Sequence, residues 1–286
     1  MAHSTSFAPA LFVLLWATGF IGAKLGLPYA EPLTFLLARY LLVGALLLVA
    51  ALVLNAPWPR TPREAAHIAV AGLLVHGIYL GGVFSAIHRG VPAGVVALIA
   101  GLQPLLTAAG ASWLLGERVS ARNWVGLSLG LLGVVLVLWG KLTFSVKSAA
   151  GVVLAFLALF AITAGVLYQK RYCAHMDLRT GSIIQFAASA LATAVLAMLL
   201  ETMRIEWSGE FIFALAWLAI VLSLGAISLL YFLIRRGKAT RVASLFYLVP
   251  PVTAIMAFLV FGERLGPAGL IGMGVTVTGV ALALKS

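Results

Sequence analysis

Hydrophobic residues in this chain come in blocks and do not alternate with polar ones. Ten stretches carry no Asp, Glu, Lys or Arg, at residues 7–23, 40–59, 65–87, 90–116, 123–140, 148–169, 180–200, 211–234, 242–262 and 265–284. Each is 17 to 27 residues long, which suits a helix, since about 20 residues cross a hydrocarbon core of about 30 Å. Strands of a membrane barrel would alternate over about 10 residues instead. The pattern predicts an all-α membrane protein with ten transmembrane helices. The first block has no Lys or Arg before it and no secreted domain after it, so it predicts a retained helix and not a signal peptide.

Composition removes most function classes. Apolar residues make up 63% of the chain and charged residues 9%, against about 45–50% and about 25% in soluble domains. Those values exclude a water-soluble enzyme and leave no length for a soluble catalytic or nucleotide-binding domain. The excess of 19 Lys+Arg over 8 Asp+Glu would suggest nucleic acid in a soluble chain. Here the basic residues sit between apolar blocks, so the expected partner is the lipid bilayer and not nucleic acid. Cytoplasmic loops collect Lys and Arg. With the N-terminus inside, twelve basic residues fall on the cytoplasmic side and six opposite, Arg39 lying within the second helix. Both termini are therefore predicted to face the cytoplasm, in the cell's inner membrane.

Sliding the chain against itself by 146 residues pairs Gly19 with Gly165, Lys24 with Lys170 and Pro104 with Pro250. The same offset pairs Gly116-Glu117-Arg118 with Gly262-Glu263-Arg264, Gly126 with Gly272 and Gly133 with Gly279. The repeat unit holds five helices, giving domains at residues 1–140 and 141–286. Five is odd, so the second unit enters the membrane from the opposite side, and the two form inverted repeats. Such pairs build alternating-access transporters that hold substrate near the midplane.

Trp16-Ala17-Thr18-Gly19-Phe20 in helix one, Ala38-Arg39-Tyr40 in helix two, Gln103-Pro104-Leu105 in helix four and the paired Gly-Glu-Arg boundaries carry a family resemblance. The chain resembles the drug/metabolite transporter superfamily, and within it the ten-helix EamA-type branch of amino-acid and metabolite exporters. The aromatic amino acid exporter is the nearest member type. The resemblance covers nearly the whole chain and implies an exporter, without fixing the substrate.

Polar groups at mid-membrane are expensive and mark candidate function. His76 lies at the centre of the third block, and its imidazole is suited to substrate contact or proton coupling. Helical spacing puts Gly72, His76, Tyr79 and Val83 on one face, predicted to line a cavity. Gln103 precedes Pro104, and Pro250-Pro251 sits mid-block, so these prolines predict kinks that serve as hinges and free backbone carbonyls. Trp16, Phe20, Phe160, Thr163, Ser228, Tyr231, Ser244 and Tyr247 are candidates for an aromatic, weakly polar substrate wall. Lys24, Arg39 and Glu201 fall within one or two turns of helix ends, where long stems snorkel to the headgroups. Glu117 and Glu263 are expected to anchor helix boundaries.

Other motifs carry no chemistry in this setting. Gly126-Leu127-Ser128-Leu129-Gly130 matches a hydrolase elbow but lies in an apolar block, where a strand-to-helix turn has no place. Gly237-Lys238 lacks the upstream glycine of a phosphate loop. The single Cys173 permits no internal disulfide, and the five histidines show no metal-ligand spacing. Neither cofactor nor metal is expected. The sequence thus predicts a secondary carrier, not an enzyme, that exports small neutral or zwitterionic metabolites, amino acids foremost, with protons as a candidate coupled ion. A single chain suffices in principle. The competing readings are a drug or nucleoside-type efflux carrier, an intramembrane enzyme and a channel. Carriers of sugar phosphates would need mid-membrane cations, and none is expected here.

Overall fold

The computed structural model describes residues 7–115, 120–139, 146–226 and 245–284, with Leu229 and Leu233. Glu117, Ser228, Tyr231 and Ser244 lie outside the described residues, and of Tyr247 only the backbone is described. Helix α1 spans Ala8–Gly26 and α2 Pro32–Val53. One long rod then runs through α3 (Pro62–Gly72), a π-helical turn π1 (Leu73–Ile78) and α4 (Tyr79–His88). The fourth block divides at Gly101-Leu102 into α5 (Ala93–Ala100) and α6 (Gln103–Leu115). Helices α7 (Ala121–Trp139), α8 (Val146–Tyr172) and α9 (Leu178–Leu200) come next. Helix α10 (Gly209–Ala216) continues into a second π segment, π2 (Trp217–Ala226). A 3-10 turn at Phe246–Leu248 leads into α11 (Val249–Phe261), and α12 spans Pro267–Leu284.

Among the described residues, six rods are long and apolar enough to cross a bilayer: Ala8–Gly26, Pro32–Val53, Pro62–His88, Ala149–Tyr172, Leu178–Leu200 and Gly209–Ala226. Four shorter apolar helices accompany them, at Ala93–Thr107, Trp124–Val137, Val249–Phe261 and Pro267–Gly279. Together they make a multi-pass helical membrane fold. The prolines sit differently from the kinks predicted. Pro104 lies in the first turn of α6, and Pro250 and Pro251 in the first turn of α11. In a first turn the missing N–H breaks no helical bond.

Large apolar side chains cover the outer surface as well as the core. Leu52, Val153, Leu191, Leu199, Leu259 and Ile271 point outward, whereas Thr34, Arg39, Gln185, Ser189, Thr193, Ser223 and Thr253 are buried. Hydrocarbon gives a polar group no partner, so it is turned toward other helices. Without a hydrophobic drive between helices in lipid, close backbone approach supplies the packing. Helices α7 and α12 use it most. A Cβ added to Gly272 would stand 2.5 Å from the Gly133 carbonyl oxygen, and one on Gly279 would stand 2.8 Å from that of Gly126. The Thr276 hydroxyl lies between them, 3.3 Å from the Gly130 carbonyl oxygen and 2.9 Å from that of Gly272.

Loops at the two ends of the bundle are tied by different bonds. At the α1–α2 end, both Glu201 carboxylate oxygens accept from the first turn of α2, from Leu33 N at 2.8 Å and from Thr34 N at 2.8 Å. Thr34 Oγ1 donates to Glu201 as well, at 2.8 Å. Glu31 answers by accepting from Thr202 N and Oγ1 at 2.6 and 2.7 Å, which holds its carboxyl below the usual range. An antiparallel bridge joins Ala30 to Ile205 beside them. Lys24 forms an ion pair with Glu263 at this end and lies over the Phe261 ring. Both residues were expected to stop at boundary roles, with Lys24 snorkelling; instead each satisfies the other.

At the opposite end Asp177 caps α9 through Arg179 N at 2.9 Å and Thr180 N at 3.3 Å. The Arg179 guanidinium clasps the same carboxylate and, by its hydrogen bonds, holds it below the usual range. Thr180 Oγ1 donates to the Pro57 carbonyl at 2.7 Å, tying the α2–α3 loop to α9. A cleft of about 550 Å³ opens between these loops, lined by Trp58, Arg60, Glu64, His175 and Asp177.

Candidate functional site

Among the described residues, the interior holds a layer of polar side chains supplied by α2, π1, α4, α8, α9 and π2. Two π segments make it possible. A π turn bonds each N–H to the carbonyl five residues back, as Tyr79 N does to Leu74 O. The extra residue rotates the next stretch of helix and leaves a carbonyl free for a side chain. Tyr40 Oη takes that place in π1, donating to the His76 carbonyl at 2.6 Å. In π2 the Ser223 hydroxyl spans the same five-residue step, donating to the Leu218 carbonyl at 2.9 Å.

Around these bonds the layer assembles. The His76 imidazole stacks on Phe186, with ring centroids 4.3 Å apart, and lies alongside the Gln185 amide. Tyr40 packs against Phe186 from α2, at 5.8 Å. Gly72 brings π1 against α9 closely enough that a Cβ there would lie 2.5 Å from the Gln185 Cα, and Ser189 Oγ donates to the Gly72 carbonyl at 3.0 Å. The Gln185 amide nitrogen donates to Gln169 Oε1 at 3.2 Å. From the other side of α2, Arg39 Nη2 donates to Ser223 Oγ at 3.0 Å. Tyr79 lies within electrostatic reach of the same guanidinium.

Arg39 corrects the sequence reading twice. Its side chain is 5% exposed and turned into the bundle, so it does not snorkel, and the layer does hold a cation. Depth from the helix end was legible in the sequence; the direction of the side chain was not.

The predicted site residues divide into groups. His76 and Tyr79 join the layer. Trp16 belongs to an aromatic cluster with Phe12 and Phe246, at centroid distances of 5.4 and 5.1 Å, and Phe20 is buried nearby on α1. Gln103 bonds within its own helix to Thr107 at 3.1 Å, and Thr163 bonds back to the Leu159 carbonyl at 2.8 Å. Phe160 is 58% exposed, on the outer surface and away from the layer. Gln185, Ser189 and Ser223 were not among the candidates. The 146-residue offset held a signal for one of them, since it pairs Arg39 with Gln185 and, next along, Tyr40 with Phe186.

The EamA-like transporter family model matches this chain twice, over residues 5–139 and 149–285. The chain belongs to the EamA-like transporter family. Its activity is accordingly that of a membrane transporter and not of an enzyme, and the polar layer is the interior of a transporter. It is 27% identical over 276 residues to the uncharacterized inner membrane transporter YedA of Escherichia coli K12, covering 96% of this chain and 89% of that one. A probable amino-acid metabolite efflux pump of Salmonella typhimurium is 25% identical over 98% of this chain and 94% of its own. A probable terminal-alkyne amino-acid exporter of Streptantibioticus cattleyicolor is 29% identical over 96% of this chain and 91% of its own. A solved crystal structure shares the fold with a TM-score of 0.69 at 21% identity, over 99% of this chain and 97% of that one.

Proposed function

We propose that this EamA-like transporter is a secondary carrier that exports small zwitterionic or neutral metabolites, amino acids foremost, from the cytoplasm by alternating access. Ten helices in two inverted halves would rock about the polar layer. The observation that carries the reading is the make-up of that layer: residues 1–140 give it Arg39, Tyr40, His76 and Tyr79, and residues 141–286 give it Gln185, Phe186 and Ser223. A substrate held there touches both halves, so it can follow their relative motion. The double family match supports the repeat, as do the contacts of Gly126 with Gly279 and Gly133 with Gly272, which the 146-residue offset converts into each other. The relatives named as amino-acid exporters support the substrate class.

In this reading the α1–α2 end faces away from the cytoplasm. The Lys24–Glu263 pair and the Glu201 and Glu31 clasps are then the bonds that outward opening must break, and Pro104, Pro250 and Pro251 mark helix starts about which the halves bend. His76 and Tyr79 contact substrate. Gln103, Trp16, Phe20 and Thr163 contribute to the path on either side, and Tyr231, Ser244 and Tyr247 are further candidates for contact with substrate. Purified chain in liposomes loaded with unlabelled amino acids should take up labelled amino acid by counterflow that saturates and needs internal substrate. Flux that rises linearly with concentration and ignores internal substrate would indicate a channel and overturn the carrier.

A further inference from the structure

We infer that Arg39 anchors the carboxylate of the transported molecule, so that within the proposed substrate class the carrier favours zwitterions and other molecules bearing one carboxylate over uncharged ones. The inference rests on the carrier reading for its transport consequence, but the binding it asserts stands on its own geometry. Among the described residues, Arg39 is the buried charged side chain, and a buried cation is costly unless its charge and all its donors are met. The other interhelical cation, Lys24, has a carboxylate. Arg39 has a hydroxyl. Ser223 Oγ meets Nη2, while Nε is buried with no partner at all. Nε and Nη2 form one edge of the guanidinium, the edge that takes a carboxylate through two parallel bonds.

Ser223 suits the role of a temporary partner. Its proton is committed to the Leu218 carbonyl, so it offers Arg39 a lone pair and no charge. A carboxylate arriving at this edge supplies the missing acceptor for Nε and the missing negative charge together. Among the described residues, the rest of the layer holds no second permanent charge: it is made of the hydroxyls of Tyr40 and Tyr79, the Gln185 amide, the Phe186 ring and the His76 imidazole stacked on that ring. One guanidinium balances one carboxylate, whereas a phosphate dianion would keep an uncompensated charge. A carboxamide can offer this edge one neutral oxygen but not two acceptors with a negative charge, which is what makes the inference testable.

The full chain in detergent would be titrated by calorimetry with L-phenylalanine, L-threonine and 3-phenylpropionate, each against its carboxamide, using wild type, Arg39→Lys and Arg39→Gln. We expect wild type to bind at least one acid roughly 10- to 100-fold more tightly than its amide, the range of a charge-assisted hydrogen bond. Arg39→Gln should lose that discrimination with its melting temperature kept, and Arg39→Lys should keep part of it. Equal binding of acid and amide in every pair, discrimination that survives in Arg39→Gln, or no acid bound by wild type up to about 10 mM would overturn the anchor. Should Arg39→Gln fail to fold, the wild-type ratio and Arg39→Lys decide. Counterflow of the same compounds separates the two claims. Discrimination in binding without flux upholds the anchor and sinks the carrier, and saturable flux of acids and amides alike does the reverse.

Discussion

His76 is the residue on which sequence and structure meet most closely. Its depth in an apolar block singled it out, and the structure puts it in the polar layer, stacked on Phe186 with its carbonyl bonded to Tyr40. Arg39 was as visible in the sequence and was misassigned. A helix in lipid is apolar on every side, so the pattern that tells an inward face from an outward one in a soluble protein is nearly erased. Phe160 was misjudged for the same reason. At this scale the expected outcome is that His76→Leu cuts transport in membranes that hold normal amounts of protein, and His76→Gln keeps part of it by retaining a hydrogen-bonding group. Tyr79→Ala should affect the same step. Initial rates of labelled amino-acid efflux would check all three, and wild-type rates in His76→Leu would remove His76 from the site.

The elements were legible as lengths and illegible as details. Charge-free blocks located the long rods, because the cost of a charge in hydrocarbon dictates both. Nothing in Leu73–Ile78 or Trp217–Ala226 announces a π turn, whose looser packing is offset by bonds to residues far away, such as Tyr40. The cap of α2 is likewise long-range. Glu201→Ala should remove three accepted hydrogen bonds from the start of α2 and lower stability by about 1–2 kcal/mol, with Glu201→Gln in between, as measured by melting in detergent. Asp177 acts locally at α9. Because its folded carboxyl is held below the unfolded value of about 3.9, it stabilises the protein above that value and ceases to as pH falls through the lower folded one. Asp177→Ala should therefore melt below wild type at pH 7, and the gap should close toward pH 3.

Across the whole molecule, the twofold family match and the 146-residue offset point to one plan used twice, and the inverted arrangement proposed here has a direct check. Reporter fusions at Lys147 and Arg179 should report outside and inside respectively, and the reverse pattern would overturn it. The offset was readable because it pairs identical residues, glycines and two Gly-Glu-Arg triplets among them; the polar layer was not, because its members are ordinary residues made special only by what they face. The cap that Glu201 gives to α2 also has a meaning in time. Leu33 and Glu201 are 168 residues apart, which a ribosome adding 5–20 residues per second covers in roughly 10–30 s. For that interval the newborn α2 begins with bare N–H groups, and a chain that stops at residue 140 never acquires the missing carboxylate. The first half made alone should therefore be degraded quickly by membrane proteases. Supplying residues 141–286 as a second chain should prolong its life in a pulse-chase, and should do so less well when that second chain carries Glu201→Ala.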